Sequence, residues 1–584
     1  MNKTKFEAYQ TLSDQPATDN VAWNMYGKGV ENIGRNGRFE EVPLPKPNDD
    51  QMLVRVDSVG MCFSDVKLIR LGGEHPKLYN RDLAIEPTRL GHETAVTIIE
   101  VGQNLAEQYQ VGQRLAIQPD AYQNGLSTAY GYTVPGGLIQ YHLIGNELLE
   151  TDAGACVLPL EGNLGYAETA LLEPWGCVLA AYTQRRRLEP KQDGILWIVG
   201  QADDSRVYKM SRFLDRAKTI ILTDVNDSIQ QLVAKTGADL VVRNGVSTEE
   251  YATLNQELAD GKGFDDIIML NPQNAAQIHT LSKQIARRGT LNLVGTQPLD
   301  GLVDADVGRL HYDYIAFVGT TSDDMAESYG EARNRCDLHP NGVAVIVGAG
   351  GPMGQMHVQR AIELPQGPRL IIATELNQKR LDTLQTRFAP LAAENDCHLI
   401  TFNPTNTDIS LEELVMEQTN NQGADDVVIC VPVASLMDEG NRLMNSDGML
   451  VLFAGVPNGT MSPLNLSDVY LHNAQLTGTS GLTIDDQSAV MHRAMEGTLS
   501  PGRAVAAIGG MNAAQEGIVA MMESKYPGKI VIFPQIAEFP LVGLDELNEQ
   551  FPQIGQHLGP NDLWTDAAEE ALFNEFHGNG EPAA

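Results

Sequence analysis

The chain has 584 residues and a formal net charge of -35, with 42% hydrophobic and 20% charged residues. This is the composition of a globular protein, and the length suffices for roughly three or four domains of ordinary size. The acidic balance argues against nucleic acid as a partner, because phosphate backbones are bound by Lys and Arg side chains.

Cysteine usage and the absence of long apolar runs indicate where the protein works. No apolar run reaches the length that a membrane span needs, and the polar start MNKTKFEAYQ is unlike a signal peptide. The cysteines form no C-x-x-C pair, which predicts reduced thiols rather than a disulfide framework. We therefore expect a cytoplasmic protein without membrane contact, whose six cysteines are Cys62, Cys156, Cys177, Cys336, Cys397 and Cys430.

Residues 51–175 contain the first candidates for chemistry. QMLVRVDSVGMCFSDVK leads from an alternating strand to Cys62 and Ser64, and TRLGHETAVTIIEVG contains His92 and Glu93. LLEPWGCVLAAY then adds Glu173. A thiolate, an imidazole and carboxylates beside Gly- or Pro-marked turns suit tetrahedral zinc with one position open for substrate. Taken singly, each of these residues is more often a core residue than a ligand.

From residue 194 onward, short β-branched runs alternate with helical stretches, which predicts βαβ units and a parallel sheet. The first series contains six predicted strands: ILWIVG, KTIILTD, ADLVVRN, DDIIMLNP, GTLNLVG and IAFVGTT. After the turn-rich connector NRCDLHPNG, a second series follows in the same order: VAVIVGAG, RLIIATE, HLITFN, DDVVICVP, GMLVLFAG and AQLTGTS.

The two series are also similar in letters. GFDDIIMLNP is similar to GADDVVICVP, and GTLNLVGTQPLDG is similar to GMLVLFAGVPNG. Because these matches fall in the same order, we infer an internal duplication. The alternative is that any two units of this kind look alike.

The second copy carries a predicted dinucleotide turn, VIVGAGGPMGQMHV, between a strand and a helix that begins near Met353. Glu375, at the end of RLIIATE, is placed to accept hydrogen bonds from an adenosine ribose, which favours NAD over NADP. GAGGPMG holds one residue more than G-x-G-x-x-G, so either Ala349 replaces the first glycine or the turn is longer. The glycines of the turn are Gly348, Gly350, Gly351 and Gly354.

The corresponding stretch of the first copy, WIVGQADDSRVY, departs from this pattern. Gly200 follows the strand, but Asp203 and Asp204 come next, and their carboxylates would repel a phosphate. We interpret this copy as structural. Asp224, at the matching strand end, keeps open the alternative of a second working site.

The segments MCFSDVK, GHE and LLEPWG resemble, in order and in letters, those of the zinc-dependent medium-chain dehydrogenase/reductases. The resemblance covers most of residues 40–200 and 341–535, and MCFSDVK, GPMGQMHVQRA and GKIVIFP look similar to L-sorbose-1-phosphate reductases and related sugar or polyol dehydrogenases. It implies an α/β fold in which a GroES-like, β-rich catalytic domain accompanies two tandem Rossmann-type units, the first degenerate. The expected segments are 1–193 (catalytic), 194–335 (degenerate repeat), 336–481 (NAD-binding) and 482–584 (return to the catalytic domain plus a helical tail).

The resemblance also implies roles for individual residues. Cys62, His92 and Glu173 would be ligands of zinc or close to it, Glu93 an alternative ligand, and Ser64 the proton relay. Lys67 lies where some relatives place a histidine that passes the proton outward. Residues 118–140 contain no Cys, so the lobe that holds a structural zinc in many relatives is expected to be absent and one zinc per chain is expected.

The sequence therefore predicts an NAD-dependent, zinc-assisted oxidoreductase that acts on a secondary alcohol or ketone, such as a polyol, sugar or sugar phosphate. One alternative is a regulatory or binding protein that keeps the fold without turnover. Another is a reductase without metal. Relatives commonly pair through their Rossmann domains, and the extra copy could make that contact within one chain. We thus expect a monomer with an internal pseudo-dimer, or a homodimer.

Overall fold

The computed structural model describes residues 3–13, 19–183, 186–201, 203–331, 334–479 and 481–578. These fall into two compact units: unit 1 comprises 1–180, 351–356 and 481–584, and unit 2 comprises 181–350 and 357–480. In the described ranges, no helix combines the length and the apolar character of a membrane span. The four-segment division expected from the sequence stays a prediction.

The strands of the structure are numbered here in chain order. They are β1 (Val21–Ala22), β2 (Asn24–Met25), β3 (Glu40–Glu41), β4 (Met52–Gly60), β5 (Thr88–Arg89), β6 (Glu93–Val101), β7 (Arg114–Ile117), β8 (Tyr122–Gln123), β9 (Leu126–Ser127), β10 (Tyr141–Ile144), β11 (Val157–Pro159), β12 (Ile195–Val199), β13 (Thr219–Thr223), β14 (Asp239–Arg243), β15 (Phe264–Leu270), β16 (Ile285–Val294), β17 (Val303–Asp306), β18 (Ala316–Thr320), β19 (Val343–Val347), β20 (Leu370–Thr374), β21 (His398–Phe402), β22 (Ala424–Ile429), β23 (Met444–Leu452), β24 (Met461–Leu464), β25 (Gln475–Thr477), β26 (Val505–Gly510), β27 (Lys529–Phe533) and β28 (Val542–Gly543).

The α-helices are numbered in the same way. They are α1 (Lys5–Gln10), α2 (Phe63–Leu71), α3 (Asn146–Leu149), α4 (Tyr166–Ala170), α5 (Leu172–Ala180), α6 (Asp227–Val233), α7 (Tyr251–Ala259), α8 (Ala275–Ser282), α9 (Val307–Tyr312), α10 (Pro352–Glu363), α11 (Gln378–Glu394), α12 (Leu411–Gln418), α13 (Ala434–Leu443), α14 (Ser467–Leu471), α15 (Ile484–Met495), α16 (Ala514–Met522), α17 (Leu544–Gln550), α18 (Pro552–Gly555) and α19 (Asp566–Phe576).

Unit 1 is built on an eight-stranded sheet in the order β11-β7-β6-β4-β27-β26-β28, with β10 also pairing with β4. β4 is buried at all nine positions, so apolar residues occur on both of its faces. β27 comes from the far end of the chain and pairs antiparallel with β4, with Val531 opposite Gly60. The C-terminal segment therefore completes the sheet that the N-terminal segment begins.

The chain ends are joined by an aromatic cluster in unit 1. Phe6 and Tyr9 of α1 pack against Phe573 of α19, with ring centroids 5.5 Å and 4.6 Å apart. On the same helix, Glu569 is buried and accepts hydrogen bonds from the backbone N–H groups of Tyr166 and Ala167, at 2.6 and 2.9 Å. Glu569 thus satisfies donors at the start of α4 that have no partner within that helix.

The free energy of unfolding of unit 1 should fall as the pH rises, in part because the buried Glu569 carboxyl loses its proton. Burial raises the pKa of Glu569 from 4.5 to about 7. A carboxyl that holds its proton more tightly in the folded state stabilises that state below pH 4.5, and the effect is lost as the pH rises through about 7. Glu569→Gln should therefore flatten the dependence of the unfolding free energy on pH between 5 and 7. Urea unfolding at a series of pH values would check this, and a slope equal to that of the wild type would contradict it.

Unit 2 contains two six-stranded parallel sheets with the same strand order. The first runs β14-β13-β12-β15-β16-β18 and the second β21-β20-β19-β22-β23-β25. Both have the doubly wound order 3-2-1-4-5-6 of a dinucleotide-binding fold. Each strand predicted in the two series is present, and the predicted α/β class with tandem parallel sheets is confirmed.

The duplication extends to an ion pair that joins each sheet to the segment before it. In the first copy, Arg187 donates to Asp266 at 2.8 Å and to the carbonyl of Asp265 at 2.7 Å. In the second copy, Arg335 donates to Asp426 at 2.6 Å and to the carbonyl of Asp425 at 3.0 Å. Two unrelated units of the same fold class would not need to share this side-chain arrangement, so it supports the inferred duplication.

The two copies pack on each other through equivalent elements. β17 of the first copy pairs antiparallel with β24 of the second, with Val303 opposite Leu464 and Ala305 opposite Ser462. α14 of the second copy packs on β18 of the first, and apolar residues of both sheets belong to one continuous core. This pairing of like elements within one chain has the form of an isologous interface.

The first copy lacks the helix that should follow its first strand. Residues 203–218, between β12 and β13, contain no helix, whereas α10 occupies the corresponding place in the second copy. The stretch is held instead by a neighbouring loop: Lys209 donates its N–H to the Asp323 carbonyl at 3.0 Å, and Met325 donates to the Lys209 carbonyl at 2.9 Å. In the described residues 203–218, the turn after β12 therefore lacks the helix N-terminus whose dipole would favour a phosphate.

Candidate active site

Cys62 is positioned by the junction of β4 and α2. It is the N-cap of α2, in extended conformation, and its backbone N–H donates to Asp65 Oδ2 at 3.2 Å. This reciprocal cap holds the residue immediately before the helix, where the dipole favours a thiolate. Cys62 is half-buried.

His92 and Glu93 lie where β6 begins. Both side chains are buried, and Gly60 lies opposite Glu93 in the antiparallel pair of β4 and β6. A Cβ atom at Gly60 would collide with the Glu93 carboxylate, so the glycine makes room for that group. Gly131, with φ +83°, likewise lets its loop approach the His92 side chain.

The structure brings Cys62, His92 and Glu93 together. One ligand atom from each, Sγ, a ring nitrogen and a carboxylate oxygen, lies within 4.8 Å of the others. Glu93 Oε1 pairs with Lys529 of β27, whereas Glu93 Oε2 is buried and has no hydrogen-bond partner among the described residues. A buried carboxylate oxygen without a partner is costly unless something else satisfies it.

Two partners of these residues were not singled out by the sequence analysis. Asp65 Oδ1 lies 3.2 Å from His92 Nδ1, which directs the other ring nitrogen of His92 away from Asp65. Lys529 is buried beside Glu93, which raises the pKa of Lys529 although burial alone would lower it. The position of Asp65, three residues after Cys62, was a usable signal. Lys529 lies inside the quoted segment GKIVIFP, but nothing local connects it to Glu93.

Glu173, at the start of α5, is not part of the three-residue cluster. Its Oε1 accepts a hydrogen bond from the Cys177 thiol at 3.7 Å, one helical turn later. Burial raises the pKa of Glu173 to about 7, and nearby His92 opposes the rise. Glu173 is therefore close to the cluster without joining it, and its predicted role as a ligand stays a prediction.

Ser64 is exposed in the first turn of α2, and its Oγ lies 3.5 Å from the Cys62 thiol. Lys67 is exposed one turn further along. The buried ring of Tyr132 packs between two imidazoles, with its centroid 5.7 Å from that of His92 and 5.2 Å from that of His75. Burial, and then the charges of Lys67 and Lys77, lower the pKa of His75 to about 4, so this ring is neutral at pH 7.

The Gly-rich turn of the second copy joins β19 to α10 as predicted, and the helix begins at Pro352, one residue before Met353. Gly348 has φ +79°, in the left-handed region that favours glycine. A Cβ atom at Gly350 would lie 2.5 Å from Glu375 Oε2, so a larger residue would displace the acid. Of the other turn residues, Gly351 and Met353 are half-buried and Gly354 is buried in the first turn of α10.

The two strand-end acids differ in what they bind. Glu375 Oε1 accepts from the N–H groups of Leu376 and Asn377, at 2.9 and 3.0 Å, which leaves Oε2 directed toward Gly350. In the first copy, the two oxygens of Asp224 accept separately from the N–H groups of Gly245 and Val246. Asp224 is thus engaged in holding the loop after β14.

Backbone atoms lie close to Gly200 in the first-copy turn. A Cβ atom at Gly200 would lie 2.5 Å from the Asp224 carbonyl oxygen and 2.8 Å from Val225 Cα. A larger residue at this position would displace the backbone of the segment that follows β13, so the glycine lets the two segments approach closely.

Residues 48–154 match the family model of the alcohol dehydrogenase GroES-like domain. The chain is 28% identical to mannitol-1-phosphate 5-dehydrogenase of Aliivibrio fischeri, over 56% of this chain and 82% of that protein. It is 23% identical to L-sorbose 1-phosphate reductase of Klebsiella pneumoniae, over 95% and 97% of the two chains. Sorbitol dehydrogenase of Bacillus subtilis is 27% identical, over 48% and 77%. The matched domain and these similarities support a relationship of the chain to the zinc-type medium-chain dehydrogenase/reductases.

Proposed function

We propose that this protein is a zinc-assisted, NAD-dependent oxidoreductase that interconverts a secondary alcohol and a ketone of a polyol, sugar or sugar phosphate. The observation that carries the proposal is the convergence of Cys62, His92 and Glu93, with Glu93 Oε2 buried and without a hydrogen-bond partner in the described part of the chain. The convergence supports catalysis over a purely structural role, because a structural site would close all four ligand positions with protein groups.

The donor set fits zinc. Sulfur, nitrogen and oxygen ligands are typical of this borderline ion, and three protein ligands with one open position are typical of its catalytic sites. A zinc ion bound there supplies a Lewis acid for the substrate oxygen. Glu173, buried nearby with its pKa raised to about 7, is a further ligand candidate. One zinc per chain is expected.

The protein groups around the cluster have separable tasks. Asp65 holds the His92 ring by its Nδ1, so the other ring nitrogen of His92 would be the one available to a metal. Lys529 balances the charge of Glu93 inside the core. Ser64, exposed and next to Cys62, relays the proton of the substrate hydroxyl during oxidation: its Oγ accepts that proton while its own hydroxyl proton passes to solvent.

The cofactor is assigned to the second copy. The turn from Gly348 to Gly351 and the N-terminus of α10 would hold the pyrophosphate, and Glu375 would accept from the adenosine ribose. NAD bound there would supply the hydride acceptor for oxidation of the carbinol carbon. Lys379 and Arg380 follow Glu375 in the chain, so NADP is the less favoured alternative rather than an excluded one.

The substrate class is inferred from the relatives, whose names specify mannitol 1-phosphate, L-sorbose 1-phosphate and sorbitol. The decisive test measures metal content by mass spectrometry, together with NAD(H)-linked turnover on matched phosphorylated and unphosphorylated polyols and ketoses. Stoichiometric zinc with turnover of any of these supports the proposal. Zinc-free protein that turns over would favour a metal-independent reductase, and zinc-loaded protein inactive on the panel would favour a binding role.

Calorimetry should detect one NADH per chain, because only the second copy keeps the turn, the helix and an available acid. Glu375→Ala should weaken NADH binding about ten- to a hundredfold, through the loss of hydrogen bonds to a charged acceptor. Asp224→Ala is the matched control at the equivalent strand end of the first copy and should leave NADH affinity unchanged. Two NADH per chain, or loss of affinity in the control, would make the first copy a working site.

A further inference from the structure

The outer strand of the first copy, β14, has apolar side chains in contact with solvent. It lies at the edge of its sheet, where its only strand partner among the described residues is β13. Leu240 and Val242 are 42% and 38% exposed. An open edge strand with exposed apolar residues is a site for pairing with another strand.

The matching edge of the second copy is covered. On β21, Leu399 and Phe402 are buried, and the 17-residue helix α11 packs against that strand. The corresponding helix of the first copy, α6, has only seven residues. The shortened helix leaves one face of β14 uncovered, so the exposure is specific to the first copy.

The backbone of β14 presents hydrogen-bonding groups outward. Asp239 donates its N–H to the Lys218 carbonyl of the segment leading into β13, at 2.8 Å. Because residues of a parallel ladder alternate in direction, the N–H and C=O groups of Leu240 and Val242 point away from the sheet. Among the described residues, one side chain contacts these outward groups: the Arg243 guanidinium donates to the Val242 carbonyl at 3.1 Å.

The sequence of the strand, Asp239-Leu-Val-Val-Arg243, is complementary to itself when two copies run antiparallel. With Val241 opposite Val241 of the partner subunit, Leu240 faces Val242 of the partner subunit in a hydrogen-bonded pair. Asp239 then faces Arg243 of the partner subunit, and the symmetry repeats this ion pair at the other end. Opposite charges and apolar pairs at facing positions both stabilise an antiparallel ladder.

We propose that β14 is a homodimerisation edge, at which two copies of the chain join their first-copy sheets antiparallel around Val241. The self-complementary charges favour a second copy of this chain over an unrelated strand. In the pair, Arg243 exchanges its contact with the Val242 carbonyl for Asp239 of the partner subunit. One short strand buries little area, so a concentration-dependent equilibrium between monomer and dimer is expected.

Sedimentation velocity over a concentration series tests the proposal with charge reversals. Asp239→Arg and Arg243→Asp each place like charges opposite one another and should weaken dimerisation about tenfold or more, since two symmetry-related pairs are affected. The double variant restores both pairs in reversed orientation and should recover the wild-type dissociation constant. Val242→Pro removes an outward N–H and should abolish the dimer.

Lys262→Glu is the matched control, because it changes the charge of an exposed residue in the same unit by the same amount as Arg243→Asp. It should leave the dissociation constant unchanged. A wild-type chain that stays monomeric at every concentration would overturn the proposal. So would a dimer that is insensitive to the single reversals, or a double variant that remains as weak as the singles. Circular dichroism of each variant separates loss of pairing from loss of folding.

Discussion

Cys62→Ala is expected to remove zinc and to reduce NAD-linked turnover by about a thousandfold or more, since Lewis-acid stabilisation of the reacting oxygen contributes several kcal/mol. The variant deletes one of the three converging donors, and the remaining pair, His92 and Glu93, offers too few ligands for tight binding. Mass spectrometry of the metal and steady-state kinetics on the same preparation measure both effects.

The control for this variant is Cys336→Ala, which alters an exposed cysteine of unit 2. It should keep its zinc and its turnover. Thermal unfolding of the Cys62 variant should show an intact cooperative transition, because Cys62 is half-buried and fills little core volume. Undiminished turnover in the Cys62 variant would remove the basis of the zinc assignment. Lost turnover with a full zinc content would mean that the zinc binds at another site.

Asp57→Ala is expected to destabilise unit 1 by about 3–5 kcal/mol, the usual cost of removing one partner from a buried charge pair. Asp57 is fully buried on β4, where Oδ1 accepts from Arg55 at 2.9 Å and from the Tyr9 hydroxyl at 2.6 Å. Its Oδ2 accepts from Thr97 at 2.6 Å. Without Asp57, the buried Arg55 guanidinium would keep its charge and lose its counter-charge.

Denaturant unfolding followed by tryptophan fluorescence measures this loss, with each transition fitted separately because the chain has two units. Glu74→Ala is the control: it breaks the exposed pair between Lys28 and Glu74 and should cost no more than about 1 kcal/mol. Equal destabilisation by both variants would mean that other groups balance the charge of Arg55 when Asp57 is removed. Tyr9 belongs to the same network, since its ring centroid lies 3.3 Å from the Arg55 guanidinium carbon.

Local patterns were enough to locate the strands of unit 2. Each predicted run, from ILWIVG to AQLTGTS, lies on a strand, because a buried parallel strand needs a short apolar run bounded by turn residues. The Gly-rich turn before α10 was predictable for the same reason: a left-handed glycine and a helix start leave a local signature.

The sequence predicted less about the first copy. Its acidic turn indicated an impaired phosphate site, but WIVGQADDSRVY did not predict that the following helix would be missing. That stretch is held by the loop near Asp323, more than a hundred residues later. The pairing of β17 with β24 also depends on contacts distant in sequence, which periodicity does not report.

The candidate site shows the same division. The residue types at Cys62, His92, Glu93 and Glu173 were evident from the chain alone, because zinc accepts few kinds of donor and each lies beside a recognisable turn. Which carboxylate joins the cluster was decided only by the tertiary structure. Pairing of β4 with β6 at Gly60, and the arrival of Lys529 on β27, bring Glu93 to the cluster and leave Glu173 beside Cys177. Donor chemistry is a property of single residues, whereas convergence depends on the register of strands far apart in the chain.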